Sequence, residues 1–202
     1  MGYTIKHCGI VILAAGSSSR LGKPKQLLAF EGTTLLARVA AIACQSKRYP
    51  VIVVLGANAD LIKENLTISG LDVVINEDWE EGMASSLRTG LHAMEKKYPA
   101  VDGIMILVSD QPHLTDNHIV QLMDAQNKSG LPMAACSYAG IMGTPALFHK
   151  SVFPELMQLK GDIGAKRIIE SRKQDVATVF FDKGVVDIDT QADYENLLKG
   201  KI

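Results

Sequence analysis

Five short runs of unbroken apolar residues constrain this chain most: "GIVIL" at 9–13, "VIVVL" at 51–55, "VVI" at 73–75, "GIMILV" at 103–108 and "MAAC" at 133–136. A strand with one wetted face alternates apolar and polar residues. A strand covered on both faces, as in a parallel sheet, has no need to alternate. Helical periodicity fills the gaps. In "TTLLARVAAIACQS" Thr33 and Thr34 are candidate N-caps, and Leu35, Val39 and Ile42 share one stripe. Met83, Leu87, Leu91 and Met94 do the same in "GMASSLRTGLHAMEKK", and Thr115 heads a third pattern whose Ile119, Leu122 and Met123 face inward. Strand, helix and strand in repeated order predict an α/β fold, a mostly parallel central sheet flanked by helices.

The rhythm breaks after Cys136. "SYAGIMGTPALF" carries two glycines and a proline among apolar residues, which predicts a hairpin or flap rather than another crossover. Helical segments are expected over 151–173, a strand over 176–181, a short strand over 185–188, and a closing helix opened by Thr190. No repeat, low-complexity tract or linker interrupts the 202 residues, so one domain over 1–202 is expected. The net charge of −1 supplies no whole-molecule field for nucleic acid or an anionic membrane. Cys8, Cys44 and Cys136 are far apart and odd in number, which argues against a disulfide framework and a zinc site and fits a reduced, cytoplasmic setting. The first apolar run is far shorter than the roughly 20 residues that span a bilayer, and no signal-cleavage pattern follows it.

In an open α/β sheet, ligands bind beyond the carboxyl ends of the strands. The first such loop offers Leu13, Ala14, Ala15, Gly16, Ser17, Ser18, Arg20 and Lys25: small residues that let backbone N–H groups approach an anion, and two cations on long arms. It is not a P-loop, because five residues separate Gly16 from Gly22 and Pro24 follows Lys23 where a metal-binding hydroxyl is required. Nor is it a dinucleotide fingerprint, since Ser18 stands at the second glycine position. By composition alone it reads equally as a solvated turn. Asp110 follows the fourth apolar run, with Pro112 stiffening the turn, which suits a magnesium ligand or a turn Asp. Asp187 and Asp189 point the same way if their stretch has period two. Either completes a two-carboxylate site, although Asp189 equally suits a helix cap.

"LAAGSSSRLGKPKQLL" at 13–28 resembles the nucleotidyltransferase signature L-A-A-G-x-S-x-R-M/L-G-x-x-K. "NEDWEEGMASSLRTGL" at 76–91, "SDQP" at 109–112, "GTPALF" at 143–148, "KGDIGAKRII" at 160–169 and "DIDTQADY" at 187–194 follow in register, and together they resemble the molybdenum cofactor cytidylyltransferase family of the MobA-like NTP transferase superfamily. The resemblance implies a Rossmann-like nucleotidyltransferase fold, an NTP donor, a molybdopterin-type cofactor as acceptor and Mg2+. It also implies roles: Leu13, Ala14, Ala15, Gly16 and Ser17 for the nucleotide, Arg20 and Lys25 for the triphosphate as catalytic cations, and Asp110 with Asp189 for the metal. Asn76, Gly82, Ser85, Ser86, Gly143, Thr144 and Pro145 fall in the blocks expected to hold the acceptor. The "LAAG" block resembles the cytidylyl-transferring members, so CTP is the favoured donor, and a molybdoenzyme is a candidate recipient of the product. The chain departs from the family at Ser109, where Gly is usual, and at Thr144, where His is frequent; the second departure bears on the acceptor. A sugar-phosphate or other small-phosphate nucleotidyltransferase and a non-catalytic NTP-binding accessory protein are the rival readings. The five histidines lack metal-ligand spacing, and Trp79 is a packing residue or a stacking platform.

Overall fold

The structure is a computed structural model that describes residues 2–45 and 49–201. Its strands are β1 (Cys8–Ala14), β2 (Ala29–Phe30), β3 (Thr33–Thr34), β4 (Val51–Leu55), β5 (Asp72–Ile75), β6 (Gly103–Val108), β7 (Met133–Tyr138), β8 (Ile141–His149) and β9 (Val176–Phe180). Its helices are α1 (Leu35–Gln45), α2 (Ala59–Asn65), α3 (Met83–Lys97), α4 (Asp116–Ser129), α5 (Phe153–Met157), α6 (Lys166–Ser171) and α7 (Gln191–Leu198). Ser46, the last residue of the first helical pattern, lies outside the described residues.

Seven strands form one sheet in the order β5-β4-β1-β6-β8-β7-β9, and β2 with β3 forms a separate ribbon. All neighbours run parallel except those of β8, which is antiparallel to both β6 and β7. The fold is the mostly parallel α/β architecture that the apolar runs predict, and it has the Rossmann-like form that the family resemblance implies. Every residue of β1 is buried because successive side chains enter different cores. Ile10 and Ile12 join Leu36, Val39, Ile119 and Leu122 on the α1 and α4 side. Val11 and Leu13 join Leu87, Leu91, Met94 and Ile168 on the α3 and α6 side. Burying each such side chain contributes about 1.5–3 kcal/mol, which is why the strands tolerate no polar face. Among the described residues no helix is long and apolar enough to cross a membrane.

Local signals hold at several ends. Thr34 Oγ1 accepts from the Ala37 N–H at 3.2 Å, and Thr115 forms a reciprocal capping box with His118. The segment after Cys136 is the β7–β8 hairpin. Its register jumps between Ala135 paired with Ala146 and Cys136 paired with Gly143, leaving Thr144 and Pro145 without ladder partners. A bulge is where an interior strand admits proline, which has no N–H to give.

The helical segments expected over 151–173 are α5 and α6, separated by a loop over residues 158–165 that carries Gly161 and Gly164. One expectation fails. The short strand over 185–188 is absent, replaced by a 3-10 turn over Asp182–Val185 and an extended stretch without a ladder. Fully buried Ile188 anchors that stretch into a third apolar cluster with Leu21, Leu28, Phe30, Leu35 and Leu197, so side-chain burial fixes it where backbone pairing does not.

Candidate active site

The chain leaves β1 for β4 and β5 on one side and returns to β6 on the other. The gap between β1 and β6 at their carboxyl ends is therefore the switch point of the sheet, where α/β folds hold ligands. A cleft of about 470 Å³ opens there. Leu13, Ala14, Ala15, Gly16, Ser17 and Lys25 line one wall, Val108, Ser109 and Asp110 the floor, and Trp79, Gly82, Met83 and Ser86 the far wall. The two walls meet over Gly56, where a Cβ would stand 2.5 Å from Trp79 Cβ and 2.9 Å from Ala15 Cβ. Trp79 lines the cleft and belongs to none of the three buried apolar clusters.

Charge concentrates at one end. The Lys25 ammonium bridges two carboxylates, paired directly with Asp110 and 2.9 Å from Asp189 Oδ1. Arg20, well exposed, reaches Asp189 Oδ2 at 2.8 Å from the rim. Burial alone would depress Lys25, but the charge and hydrogen bond of Asp110, then those of Asp189, hold it above the ordinary lysine range. The Lys25 hydrogen bond leads the effects that hold Asp189 below the usual carboxylate range. Asp187 is the opposite case. Burial of its carboxyl, then the negative charge of Asp110, pushes it up to about 7, although much of the residue faces solvent. Asp189 does not cap α7. Thr190 does, accepting from the Asp193 N–H at 3.2 Å while Asp193 takes the Thr190 N–H at 2.8 Å. That division frees the Asp189 carboxylate for Lys25 and Arg20.

Among the described residues no three His, Cys, Asp or Glu side chains form a ready metal-ligand set. The donors nevertheless suit a hard divalent cation. Asp110 Oδ1 is buried and accepts no hydrogen bond, an orphaned carboxylate oxygen beside a second carboxylate, Asp189. Two carboxylates, with water and substrate phosphate for the remaining positions, is how magnesium is usually held.

The other sequence-predicted residues separate into those at the surface of the cleft and those beneath it. Gly82 and Ser86 line it; Asn76 and Ser85 lie underneath. Asn76 Nδ2 donates to Ser85 Oγ at 2.8 Å and Ser86 Oγ at 3.0 Å, and its Oδ1 accepts from the Asp78 N–H at 3.1 Å. The buried amide ties the Trp79 turn to the start of α3. That helix start does not offer all its N–H groups to a ligand. The Ala84 N–H is taken by Gly161 O at 3.0 Å, and the Met83 N–H lies 3.4 Å from Asp162 Oδ1. Gly143, Thr144 and Pro145 are not in the cleft wall. The unpaired Thr144 carbonyl accepts from Gln111 Nε2 at 3.0 Å and Tyr138 OH at 3.1 Å, so this bulge supports the residue after Asp110.

Residues 10–176 match the MobA-like NTP transferase domain. The chain belongs to this nucleotidyltransferase family. It is 30% identical over 200 residues to purine catabolism protein PucB of Bacillus subtilis, covering 92% of this chain and 93% of PucB. It is also 30% identical over 169 residues to nicotine blue oxidoreductase of Paenarthrobacter nicotinovorans, covering 80% and 81%. The crystal structure of Rv0371c from Mycobacterium tuberculosis superposes with a TM-score of 0.85 at 35% identity over 98% of this chain and 100% of that one. A second Rv0371c structure, at 32% identity and a TM-score of 0.81 over 96% and 99%, is a complex with manganese.

Sequence reasoning missed Gln26, Gln111 and Glu81. Gln26 and Gln111 are buried amides, and a buried amide always has a structural debt to settle, but nothing in a sequence distinguishes it from a surface one. Glu81 follows Trp79 in the second block, and its role is visible only in contacts: it accepts from Arg88 Nη2 at 2.6 Å and the Gly161 N–H at 3.3 Å, joining the far wall to the 158–165 loop.

Proposed function

We propose that this chain, as a single domain over 1–202, transfers a nucleoside monophosphate, CMP by preference, from an NTP to a phosphorylated molybdopterin-type cofactor in the cytoplasm. The observation that carries this reading is the meeting of Lys25, Asp110 and Asp189 beside a loop rich in small residues at the sheet's switch point. An acceptor phosphate oxygen forms a bond to the α-phosphorus as the bond from that phosphorus to pyrophosphate breaks. Such transfers need positioning and charge neutralisation, and no covalent intermediate with the protein.

The backbone of Leu13 to Ser17 holds the nucleotide against the near wall. Lys25 is charged throughout the physiological range and reaches Asp110 at the floor; Arg20 sits on an exposed arm at the rim. Both neutralise charge gathering on the departing pyrophosphate, each contact of this type being worth about 3 kcal/mol in the transition state. Asp110 and Asp189 are the residues that would hold Mg2+, which when bound neutralises phosphate oxygens and orients them. On the far wall Gly82 and Ser86 admit the acceptor, while Asn76 and Ser85 fix that wall from below. Gly143, Thr144 and Pro145 act through Gln111.

Pyrophosphate release is the readout, with each of the four NTPs, Mg2+ and molybdopterin. Release with CTP and molybdopterin together, and not with either alone, is expected. Equal release with a sugar phosphate in place of molybdopterin would transfer the acceptor assignment to that class, and a molybdoenzyme is the candidate recipient of the product only if molybdopterin is preferred.

A further inference from the structure

Residues 16, 17, 19, 20, 22 and 23 of the first loop are exposed, and this segment pairs with no strand. A loop of this kind loses entropy when it is fixed and needs an internal fastening to present a defined surface. One side chain supplies it. Gln26, 1% exposed, lies in the 3-10 turn over Lys25–Leu27 at the loop's far end. Its Nε2 donates to Ala14 O at 2.8 Å and to Gly16 O at 3.0 Å, across the loop's near end. Its Oε1 lies 3.5 Å from the Ser18 hydroxyl, whose oxygen accepts the Lys25 N–H at 3.0 Å. Ser18 itself has a φ of 58°, a left-handed conformation that a serine keeps only when its surroundings hold it.

We infer that Gln26 is a positioning residue for the nucleotide. With one amide it turns the Ala14 and Gly16 carbonyls inward, which directs the neighbouring N–H groups toward the cleft, and it fixes the backbone from which Lys25 reaches Asp110. It touches no substrate. The chemistry demands an amide: a carbonyl pair needs a two-hydrogen donor, and Ser18 needs an acceptor on the same group. Glu offers no donor when ionised, and Met fills the space without either function. The inference rests on the nucleotidyltransferase reading given above.

The test is CTP affinity by calorimetry at a temperature where each protein is fully folded by its melting curve. Gln26→Met should weaken CTP binding at least about tenfold, the loss expected if the released loop holds its binding arrangement only about a tenth of the time. A role in stability alone would lower the melting temperature and leave the dissociation constant of the folded fraction unmoved, so unchanged affinity overturns the inference. If Gln26→Met does not fold, Ser18→Ala, at a half-buried loop position, carries the test: weaker CTP binding by about threefold or more supports the fastening, and wild-type affinity refutes it. Wild-type protein that binds none of the four NTPs overturns the nucleotidyltransferase reading itself, and the positioning role with it.

Discussion

Replacing Lys25 by Met preserves side-chain length and removes the charge between Asp110 and Asp189. Lys25 and Asp110 are 17% and 15% exposed, while Asp189 is 36% exposed. Stripping one partner from a buried pair costs about 3–5 kcal/mol, against about 1 kcal/mol or less at the surface. The Asp110 contact lies near the buried limit and the Asp189 contact near the exposed one, so a loss of about 2–4 kcal/mol is expected. At about 2–4 °C per kcal/mol for a chain of this size, the melting temperature should fall by roughly 4–16 °C in chelator. Two facing carboxylates with no ammonium between them should then take up a divalent cation more avidly. Calorimetric melting with and without manganese checks both halves: the variant should be less stable in chelator and should gain more from manganese than the wild type does. A variant as stable as wild type, or one that manganese stabilises no more than wild type, would mean that Lys25 does not hold the two carboxylates together.

Asp110→Asn and Asp189→Asn should each reduce turnover about a hundredfold, and the double variant should be little worse than either single one if both act through one ion; steady-state rates showing the full product of two losses would separate their roles. Gly82→Ala should destabilise the fold by about 1–3 kcal/mol in urea, because Gly82 has a φ of 117° and a Cβ would stand 2.6 Å from the Gly161 carbonyl carbon; unchanged stability would mean that the 158–165 loop yields freely. Asp72 is held below the usual carboxylate range by hydrogen bonds from Lys97 and then Tyr98, which fasten the edge strand β5 to the end of α3. A lowered folded pKa contributes stability above the ordinary Asp range that is lost as pH falls through the folded value. Asp72→Asn should therefore be less stable than wild type at pH 7 and converge with it in acid, and a constant gap across that range would rule out this linkage.

The parallel part of the sheet was legible because strands covered on both faces are written as apolar runs, as "VIVVL" is. The segment after Cys136 was legible as a hairpin or flap from its two glycines and proline, but the bulge that seats Thr144 and Pro145 inside β8 was not, since a bulge is set by pairing with a neighbouring strand. The place of the break between α5 and α6 has the same origin: Gly161 and Gly164 stand in the sequence, but their consequence depends on packing against Gly82 and Met83. In the site, Lys25, Asp110 and Asp189 were legible through family blocks, and the structure adds that they meet around the lysine. Asp189 was ambiguous as a cap until Thr190 was seen to do that work with Asp193. Gln26 and Gln111 were invisible, since what marks them is burial with fixed partners.

In the proposed transfer the α-phosphate leaves the NTP with its nucleoside for an acceptor phosphate. CTP labelled in its α-phosphate, incubated with the protein, Mg2+ and molybdopterin, tests it directly by following where the label goes. Label is expected in a new cytidylyl-pterin product, with pyrophosphate in equal amount and no such product from the Asp110→Asn protein. Label that stays in CTP, or that leaves as free CMP at the same rate whether or not molybdopterin is present, would contradict it.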